Sequence, residues 1–340
     1  MKKVVIKKAY ELVVEDADKP QISENQFLVK TLFTGISAGT ELMWYKGTNP
    51  GLISGRCAYP AQVGYEHVGE VVEIGKSIDK TLLEQKIFSL SPHQEYVVMD
   101  SDKDYCVLPE RIRPEECLCT SLTATALHTV HRSGISIGDS VAIVGLGVLG
   151  QLIGQVAKSA GASRVIGIDL VDSKLEKALE LGFDNVINPK KIELDKAVNS
   201  ITGSYGVDIA IEAAGNSAAV QSACEVCRKS GKVTVAGFQS KPFQISGEIF
   251  WSKELTIKAV RAAGPLWATK NKLNHVRDDL YEYIRWDCHE NFKEAFRLVA
   301  VGKVKGASLI THKFKIDDIE KAYKMIDSGK EEFLHVILEW

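Results

Sequence analysis

The first feature of this sequence that could do chemistry is a set of three glycines at the spacing G-x-G-x-x-G. Gly145, Gly147 and Gly150 come directly after the apolar run Val141 to Val144. A β-branched run of this kind predicts a buried parallel strand, and the residues after Gly150 predict a helix. In that context the first glycine allows a tight turn, the second lets the backbone approach a pyrophosphate, and the third lets the helix pack closely on the strand. Unpaired N–H groups at the helix N-terminus favour the phosphates.

An acidic residue supports the same dinucleotide site. The next predicted strand ends at Asp169, about 20 residues beyond the glycines, where a carboxylate reaches the ribose hydroxyls of the adenosine half. Because Asp169 would repel a 2′-phosphate, the sequence predicts NAD(H) in preference to NADP(H). Lys174 either contacts the same ribose or is a solvated helix charge. The alternative, a glycine-rich turn without a ligand, is disfavoured because strand, glycines, helix and acid occur together.

A further candidate follows the predicted strand 207–212. Ala213 to Gly215 lie at the carboxyl edge of that strand, where ligands bind in parallel sheets. The residues predicted from these patterns to bind the coenzyme are Gly145, Gly147, Val148, Leu149, Gly150, Asp169, Lys174 and Ala214.

Composition limits the class of protein and its partners. The 340 residues suffice for two domains, and with 45% hydrophobic and 25% charged residues they are average for a soluble globular protein. The formal net charge of −2 lacks the basic excess expected for nucleic-acid binding. The N-terminal apolar run is too short for a signal peptide, and the most membrane-like stretch, Val141 to Ala157, is explained as nucleotide-binding core. Seven cysteines without secretory context predict reduced thiols in the cytoplasm, and the partner predicted is a small-molecule substrate.

Two patterns of elements must position these residues. Residues 1 to about 110 contain short apolar strands with turn signals, which suit a small, partly open β-barrel. From Val141 the pattern alternates between strands and helices, which predicts an α/β fold with a doubly wound parallel sheet. The elements predicted further along the chain include a helix at 217–229, strands at 232–237 and 255–260, a loop or helix start at 270–275, helices at about 291–301 and 317–328, and a terminal strand at 334–338.

Four motifs carry a family resemblance over the whole chain: Gly35-Ile-Ser-Ala-Gly-Thr-Glu41, Gly64-Tyr-Glu-His-Val-Gly-Glu-Val-Val-Glu-Ile-Gly75, the glycine motif, and Gly231-Lys-Val-Thr-Val-Ala-Gly237. The chain resembles the medium-chain dehydrogenase/reductase (zinc alcohol dehydrogenase-like) superfamily, and is most similar to the branch that includes bacteriochlorophyllide-type dehydrogenases. The resemblance implies a GroES-like β-barrel catalytic domain at 1–120, a Rossmann dinucleotide-binding domain at 121–262, and a C-terminal segment at 263–340 that returns to the catalytic domain. It also implies a homo-oligomer, a dimer, and a nicotinamide ring packed on Val235, Ala236 and Phe238.

The sequence departs from this family at the metal site. Zinc-dependent members carry Gly-Ile-Cys and Gly-His-Glu, where this chain has Ser37 and Tyr65, and Cys119 falls where a third ligand often lies. A catalytic zinc needs three protein ligands, and a neutral hydroxyl is not a usual one. The sequence therefore argues against catalytic zinc, unless His67 or His93 turns inward to join Cys119 and Glu66.

Without zinc, other groups must handle the alcohol proton and polarise the carbonyl. The candidate catalytic residues are Tyr65, Ser37, Thr40, Glu41 and His93. Tyr65 either donates a hydrogen bond to the substrate oxygen or fills the vacated metal cavity with its ring. His93 is either a proton relay or a hydrogen-bonded structural histidine, and the same choice stays open for Glu41.

These residues predict an NAD(H)-dependent oxidoreductase that interconverts a secondary alcohol and a ketone, without catalytic zinc. One alternative is a zinc-independent reductase of activated C=C bonds, as in quinone-reductase and enoyl-reductase relatives. Those relatives generally favour NADPH, and Asp169 disfavours that coenzyme. The other alternative is a catalytically inactive nucleotide-binding protein, which the loss of the metal ligands suggests and the polar groups left near the site disfavour.

Overall fold

The structure, a computed structural model, describes residues 1–265 and 286–340. These residues form two compact units. Unit 1 consists of Met1–Ser121 and Lys305–Trp340, and unit 2 consists of Leu122–Val304.

The last part of the chain is divided between the units. The sequence placed the start of the returning segment at 263, whereas in the structure the return begins at Lys305. Residues just before Lys305 remain with unit 2, where the side-chain amide of Asn291 donates to the carbonyl oxygen of Ala263 at 2.7 Å. The predicted loop or helix start at 270–275 lies outside the described residues.

Strands and helices are numbered in chain order over the described residues. The strands are β1 (Lys2–Lys8), β2 (Glu11–Asp16), β3 (Gln26–Ile36), β4 (Glu66–Ile74), β5 (Lys86–Ser89), β6 (Tyr96–Asp100), β7 (Tyr105–Val107), β8 (Ser140–Val144), β9 (Arg164–Ile168), β10 (Asn185–Ile187), β11 (Val207–Glu212), β12 (Cys227–Val235), β13 (Thr256–Ala259), β14 (Ile310–Lys315) and β15 (His335–Glu339). The helices are α1 (Ala38–Tyr45), α2 (Pro50–Ile53), α3 (Thr120–Ser133), α4 (Val148–Ser159), α5 (Asp172–Glu180), α6 (Leu194–Thr202), α7 (Ser217–Val226), α8 (Gly247–Ser252), α9 (Cys288–Ala300) and α10 (Ile319–Ser328). Within the described ranges, no helix has both the length and the apolar character needed to cross a membrane.

Unit 1 is built on a seven-stranded mixed sheet with the order β14-β15-β3-β4-β5-β7, in which β6 also pairs with β3. The long strand β3 is the centre of this sheet. Strand β4 pairs along one side of it, while the other side pairs with β6 at Gln26–Lys30 and with β15 at Phe33–Ile36. One side of β3 thus pairs with two different strands in succession, and this branching of the sheet agrees with the predicted partly open barrel.

Helix α10 is held in unit 1 by one apolar face. Its buried residues Ile319, Ala322, Tyr323 and Ile326 recur at the spacing of a single helix face. They belong to the same apolar cluster as buried residues of β1 and β15. Burial of this face fixes the position of Tyr323, whose side chain is fully buried.

Unit 2 contains a six-stranded parallel sheet with the order β10-β9-β8-β11-β12-β13. This is the predicted doubly wound arrangement, with the direction of winding reversing between β8 and β11. Residues Val141 to Val144 of β8 are buried, which explains their continuous apolar run. The reversal brings the loops that follow β8 and β11 to the same edge of the sheet.

Helix α7 is shorter than predicted. The sequence placed a helix at 217–229 and a strand at 232–237, but α7 ends at Val226 and β12 begins at Cys227. The Lys253 ammonium group donates to the carbonyl oxygens of Cys224 and Cys227, at 3.4 and 2.8 Å. A cation satisfies the free carbonyl groups at a helix C-terminus, so this side chain stabilises the early end of the helix.

Candidate active site

The glycine turn of unit 2 has the backbone geometry that its residue types indicate. Gly145 has a φ of +96°, which favours glycine. A Cβ atom at Gly150 would lie 1.9 Å from the carbonyl oxygen of Gly145, so only glycine lets the helix pack this closely on the turn. Val148 and Leu149 are the first residues of α4, and no side chain caps the helix start at Gly147.

Space and hydrogen-bond donors coincide at this helix start. A Cβ atom at Gly147 would have no heavy atom within 4 Å, so the backbone there faces open space. The uncapped N–H groups in the first turn of α4 are donors for an anion, and the helix dipole favours negative charge at the same place. The residues present therefore fit the pyrophosphate of a dinucleotide.

Asp169 joins the end of β9 to the glycine turn. Its carboxylate accepts hydrogen bonds from the backbone N–H of Leu146 at 2.7 Å and of Val171 at 3.0 Å. The side chain is half-buried, so part of the carboxylate surface is open to a ligand. Lys174 lies in α5, and its backbone carbonyl oxygen accepts a hydrogen bond from the Gln151 side-chain amide at 2.8 Å.

The other predicted coenzyme residues lie on two loops beside the glycine turn. A Cβ atom at Gly145 would lie 2.7 Å from the Cβ of Ala214, and one at Gly237 would lie 2.4 Å from the backbone nitrogen of Gly215. Three loops are therefore in contact at one edge of the sheet. Within them Ala214 and Phe238 are exposed, Ala236 is half-buried and Val235 is buried.

Glu212 is a residue of this edge that sequence reasoning missed. It is the last residue of β11 and is fully buried. Its carboxylate accepts from the backbone N–H of Ala214 at 2.8 Å and from the Gln239 side-chain amide at 3.0 Å. Burial raises the pKa of Glu212, against the opposing effect of the backbone N–H donors. One carboxylate thus links the loops after β11 and β12, and the available signal was an acid directly after the apolar stretch Ile209 to Ile211.

Unit 1 brings together three of the predicted catalytic residues in a hydroxyl cluster, defined here as Ser37, Thr40 and Tyr65. The Tyr65 phenol donates to the Ser37 hydroxyl and lies 3.4 Å from the Thr40 hydroxyl. Ser37 precedes α1, Thr40 lies in its first turn, and Tyr65 precedes β4. Burial, followed by the nearby Glu66 carboxylate, raises the pKa of Tyr65 above its ordinary value. Tyr65 therefore keeps its proton at neutral pH and is a hydrogen-bond donor.

The two remaining candidates form a buried pair next to the cluster. The Glu41 carboxylate lies 2.9 Å from His93 Nε2, and both side chains are almost completely buried. The other carboxylate oxygen of Glu41 accepts from the backbone N–H of Ser37 at 2.8 Å. Glu41 and His93 are thus hydrogen-bonded to each other and to the backbone that carries Ser37.

A second buried pair, which the sequence did not reveal, joins Glu66 to His335. Glu66 Oε2 lies 2.7 Å from His335 Nε2, and a Cβ atom at Gly35 would lie 2.1 Å from the same oxygen. His67 is held separately, with its ring nitrogens 3.1 Å from the Thr31 hydroxyl and 2.7 Å from the Ser89 hydroxyl. Burial lowers the pKa of His67 to about 3, so its imidazole is neutral at pH 7.

The side chains that could have joined a metal site have other partners. Glu66 contacts His335, His93 contacts Glu41, and the Cys119 thiol donates to the Glu116 carbonyl at 3.4 Å. In residues 1–265 and 286–340 no group of three or more His, Cys, Asp or Glu side chains could hold a metal ion. Because zinc requires such a set, the described residues do not fit a catalytic zinc ion.

Known proteins are similar to this chain along its whole length. A family model described as zinc-binding dehydrogenase matches residues 148–276. The sorbitol dehydrogenase of Halalkalibacterium halodurans is 24% identical, over 93% of this chain and 93% of its own length.

Solved structures show the same fold. A zinc-binding dehydrogenase from Sinorhizobium meliloti bound to NADP is 21% identical with a TM-score of 0.79, covering 100% of this chain and 99% of its own. An Escherichia coli alcohol dehydrogenase complexed with NADH is 20% identical with a TM-score of 0.80, with the same coverage. The predicted fold class, a GroES-like barrel and a doubly wound Rossmann sheet, is confirmed.

Proposed function

We propose that this chain is an enzyme of the medium-chain dehydrogenase/reductase (zinc alcohol dehydrogenase-like) superfamily, and that it interconverts a secondary alcohol and a ketone with NAD(H) and without catalytic zinc. The relative named sorbitol dehydrogenase supports an alcohol as the substrate class. The bacteriochlorophyllide-type branch, the dimer, the cytoplasmic location and the absence of nucleic-acid and membrane partners stay predictions from the sequence.

The observation that carries the proposal is the hydroxyl cluster at the family's ligand positions. Ser37 and Tyr65 stand where zinc-dependent members have cysteine and histidine, and their hydroxyl groups are hydrogen-bonded to each other. A protonated phenol beside two aliphatic hydroxyls can donate to a carbonyl oxygen and stabilise the negative charge that develops there. In zinc-dependent enzymes the metal ion stabilises this negative charge.

The residues have distinct roles in the proposed reaction. A bound nicotinamide supplies or accepts the hydride. In the direction of reduction, Tyr65 turns its hydroxyl from Ser37 to the ketone oxygen and gives its proton to that oxygen, which becomes the alcohol hydroxyl. The phenol then takes a replacement proton from water. Ser37 and Thr40 flank the same oxygen with hydroxyl groups that also donate and accept. In unit 2 the start of α4 binds the pyrophosphate, and Asp169 orients the ribose.

The experiment that tests this function is a turnover assay with purified protein, NADH or NADPH, and a panel of polyol-derived ketones, simple ketones and enones. Reduction of ketones with NADH supports the proposal. Reduction of the enone C=C bond instead would favour the double-bond reductase. Coenzyme binding without any turnover would favour an inactive nucleotide-binding protein, and no binding of either coenzyme would overturn the whole account.

Asp169→Asn is expected to shift the ratio of NADH to NADPH affinity about tenfold towards NADPH, or ~1.4 kcal/mol. The variant removes the charge that repels a 2′-phosphate, while the amide oxygen still accepts a hydrogen bond from the turn. Fluorescence titration with both coenzymes measures the ratio. Asp172→Asn is the matched control, because Asp172 pairs with Lys191 and Asn188 instead. An unchanged ratio of NADH to NADPH affinity in Asp169→Asn would show that Asp169 does not select between the coenzymes.

A further inference from the structure

Tyr323 lies far from the hydroxyl cluster in sequence but is linked to it in space. It is a fully buried residue of α10, and its phenol donates to Oε2 of Glu41, across 282 positions of chain. Burial, then the Glu41 carboxylate, raises the pKa of Tyr323 well above its ordinary value. The phenol is therefore a permanent donor to Glu41.

Glu41 receives hydrogen bonds from three different segments of unit 1. Its Oε1 accepts from the Ser37 backbone N–H at 2.8 Å. Its Oε2 contacts the Tyr323 hydroxyl and lies 2.9 Å from His93 Nε2. Because a buried carboxylate needs several donors to remain in place, each of these contacts helps to fix its position.

Both segments that carry the hydroxyl cluster are held by this arrangement. The contact with the Ser37 N–H fixes the start of α1. The His93 ring packs on Gly64, the residue before Tyr65, where a Cβ atom would lie 2.9 Å from three ring atoms. Gly64 has a φ of +100°, so the turn into Tyr65 depends on glycine twice, for its backbone angle and for its contact with the imidazole.

We propose that Tyr323 is a positioning residue, which holds the Ser37 and Tyr65 hydroxyls in their reactive arrangement through Glu41 and His93. This inference rests on the proposed function, since the arrangement matters for turnover only if the hydroxyl cluster binds the substrate oxygen. The Tyr323 hydroxyl donates to Glu41, which is not a member of the cluster. It acts on the two backbone segments that carry the hydroxyls, and small displacements of such groups reduce turnover strongly.

The test compares Tyr323→Phe with Tyr45→Phe. Both variants remove one hydroxyl group from the same apolar cluster, and the two rings lie 5.4 Å apart. Tyr323→Phe is expected to lower kcat for ketone reduction about tenfold, with the affinity for NADH unchanged. It is also expected to speed hydrogen–deuterium exchange in a peptide that contains Ser37, because the acceptor of the Ser37 N–H is less firmly held. Tyr45→Phe is expected to change neither quantity.

The two readouts separate this inference from the proposed function. Exchange is measured on the coenzyme-free protein and needs no substrate, so it tests the link from Tyr323 to α1 even if wild-type protein turns over no ketone. Unchanged exchange in Tyr323→Phe would overturn the inference, and so would faster exchange with an unaltered kcat. Wild-type protein without activity on any alcohol or ketone would instead overturn the proposed function.

Discussion

Gly147→Ala is expected to weaken NADH binding about a hundredfold while leaving the thermal unfolding midpoint unchanged. A Cβ atom at this position meets no heavy atom within 4 Å, and the φ of −64° suits any residue. The methyl group therefore disturbs nothing in the free protein. It fills the space that the pyrophosphate needs beside the start of α4. Fluorescence titration with NADH and scanning calorimetry measure the two effects.

Two other glycines provide the controls for this experiment. Gly247→Ala adds a methyl group to open space at the start of α8, and wild-type NADH affinity is expected. Gly150→Ala places a methyl group against the Gly145 carbonyl oxygen, so the unfolding midpoint is expected to fall together with the affinity. Wild-type affinity in Gly147→Ala would contradict the assignment of this turn as the pyrophosphate site.

Tyr65→Phe is expected to lower kcat for ketone reduction about a hundredfold, with NADH affinity unchanged. The substitution keeps the aromatic ring, so the packing around residue 65 is retained. Only the hydroxyl group that donates to the substrate oxygen is lost. Steady-state kinetics with the best ketone of the panel, together with NADH titration, measures both quantities.

Tyr59→Phe is the control for this second prediction. Its hydroxyl also belongs to unit 1 but donates to the Trp44 carbonyl oxygen, outside the hydroxyl cluster. Wild-type kcat is expected for this variant. If Tyr65→Phe also kept wild-type kcat, Tyr65 would only fill space, and the proposed way of polarising the carbonyl would be wrong.

The nucleotide-binding unit could be predicted from sequence because its requirements are local. The positive φ at Gly145 and the close contact at Gly150 each demand glycine at one position, so residue type and spacing carry the information. The buried strand β8 is equally visible as an apolar run. Strand β11, with its shorter apolar stretch Ile209 to Ile211, was predicted with its observed bounds. The predicted end of α7 was wrong because the observed end depends on the side chain of Lys253, which lies beyond the next strand in the sequence.

The candidate active site could be predicted only in part, because its contacts join distant segments. Ser37 and Tyr65 were recognised as a pair through the family resemblance, and nothing local indicates that their hydroxyls meet. Tyr323 lies at the spacing of a buried helix face, which is the ordinary pattern of a core residue. His335 begins a terminal strand, and its partner Glu66 is 269 positions away. Long-range polar pairs of this kind leave no periodic signal in a sequence.

The central claim is that the hydroxyl cluster, and not zinc, polarises the substrate oxygen. The most direct measurement is the ketone turnover of purified enzyme before and after treatment with a zinc chelator, with the metal content of each sample determined by mass spectrometry. The account predicts unchanged turnover in samples with far less than one zinc ion per chain. Loss of turnover on chelation, restored in proportion to added zinc, would contradict it.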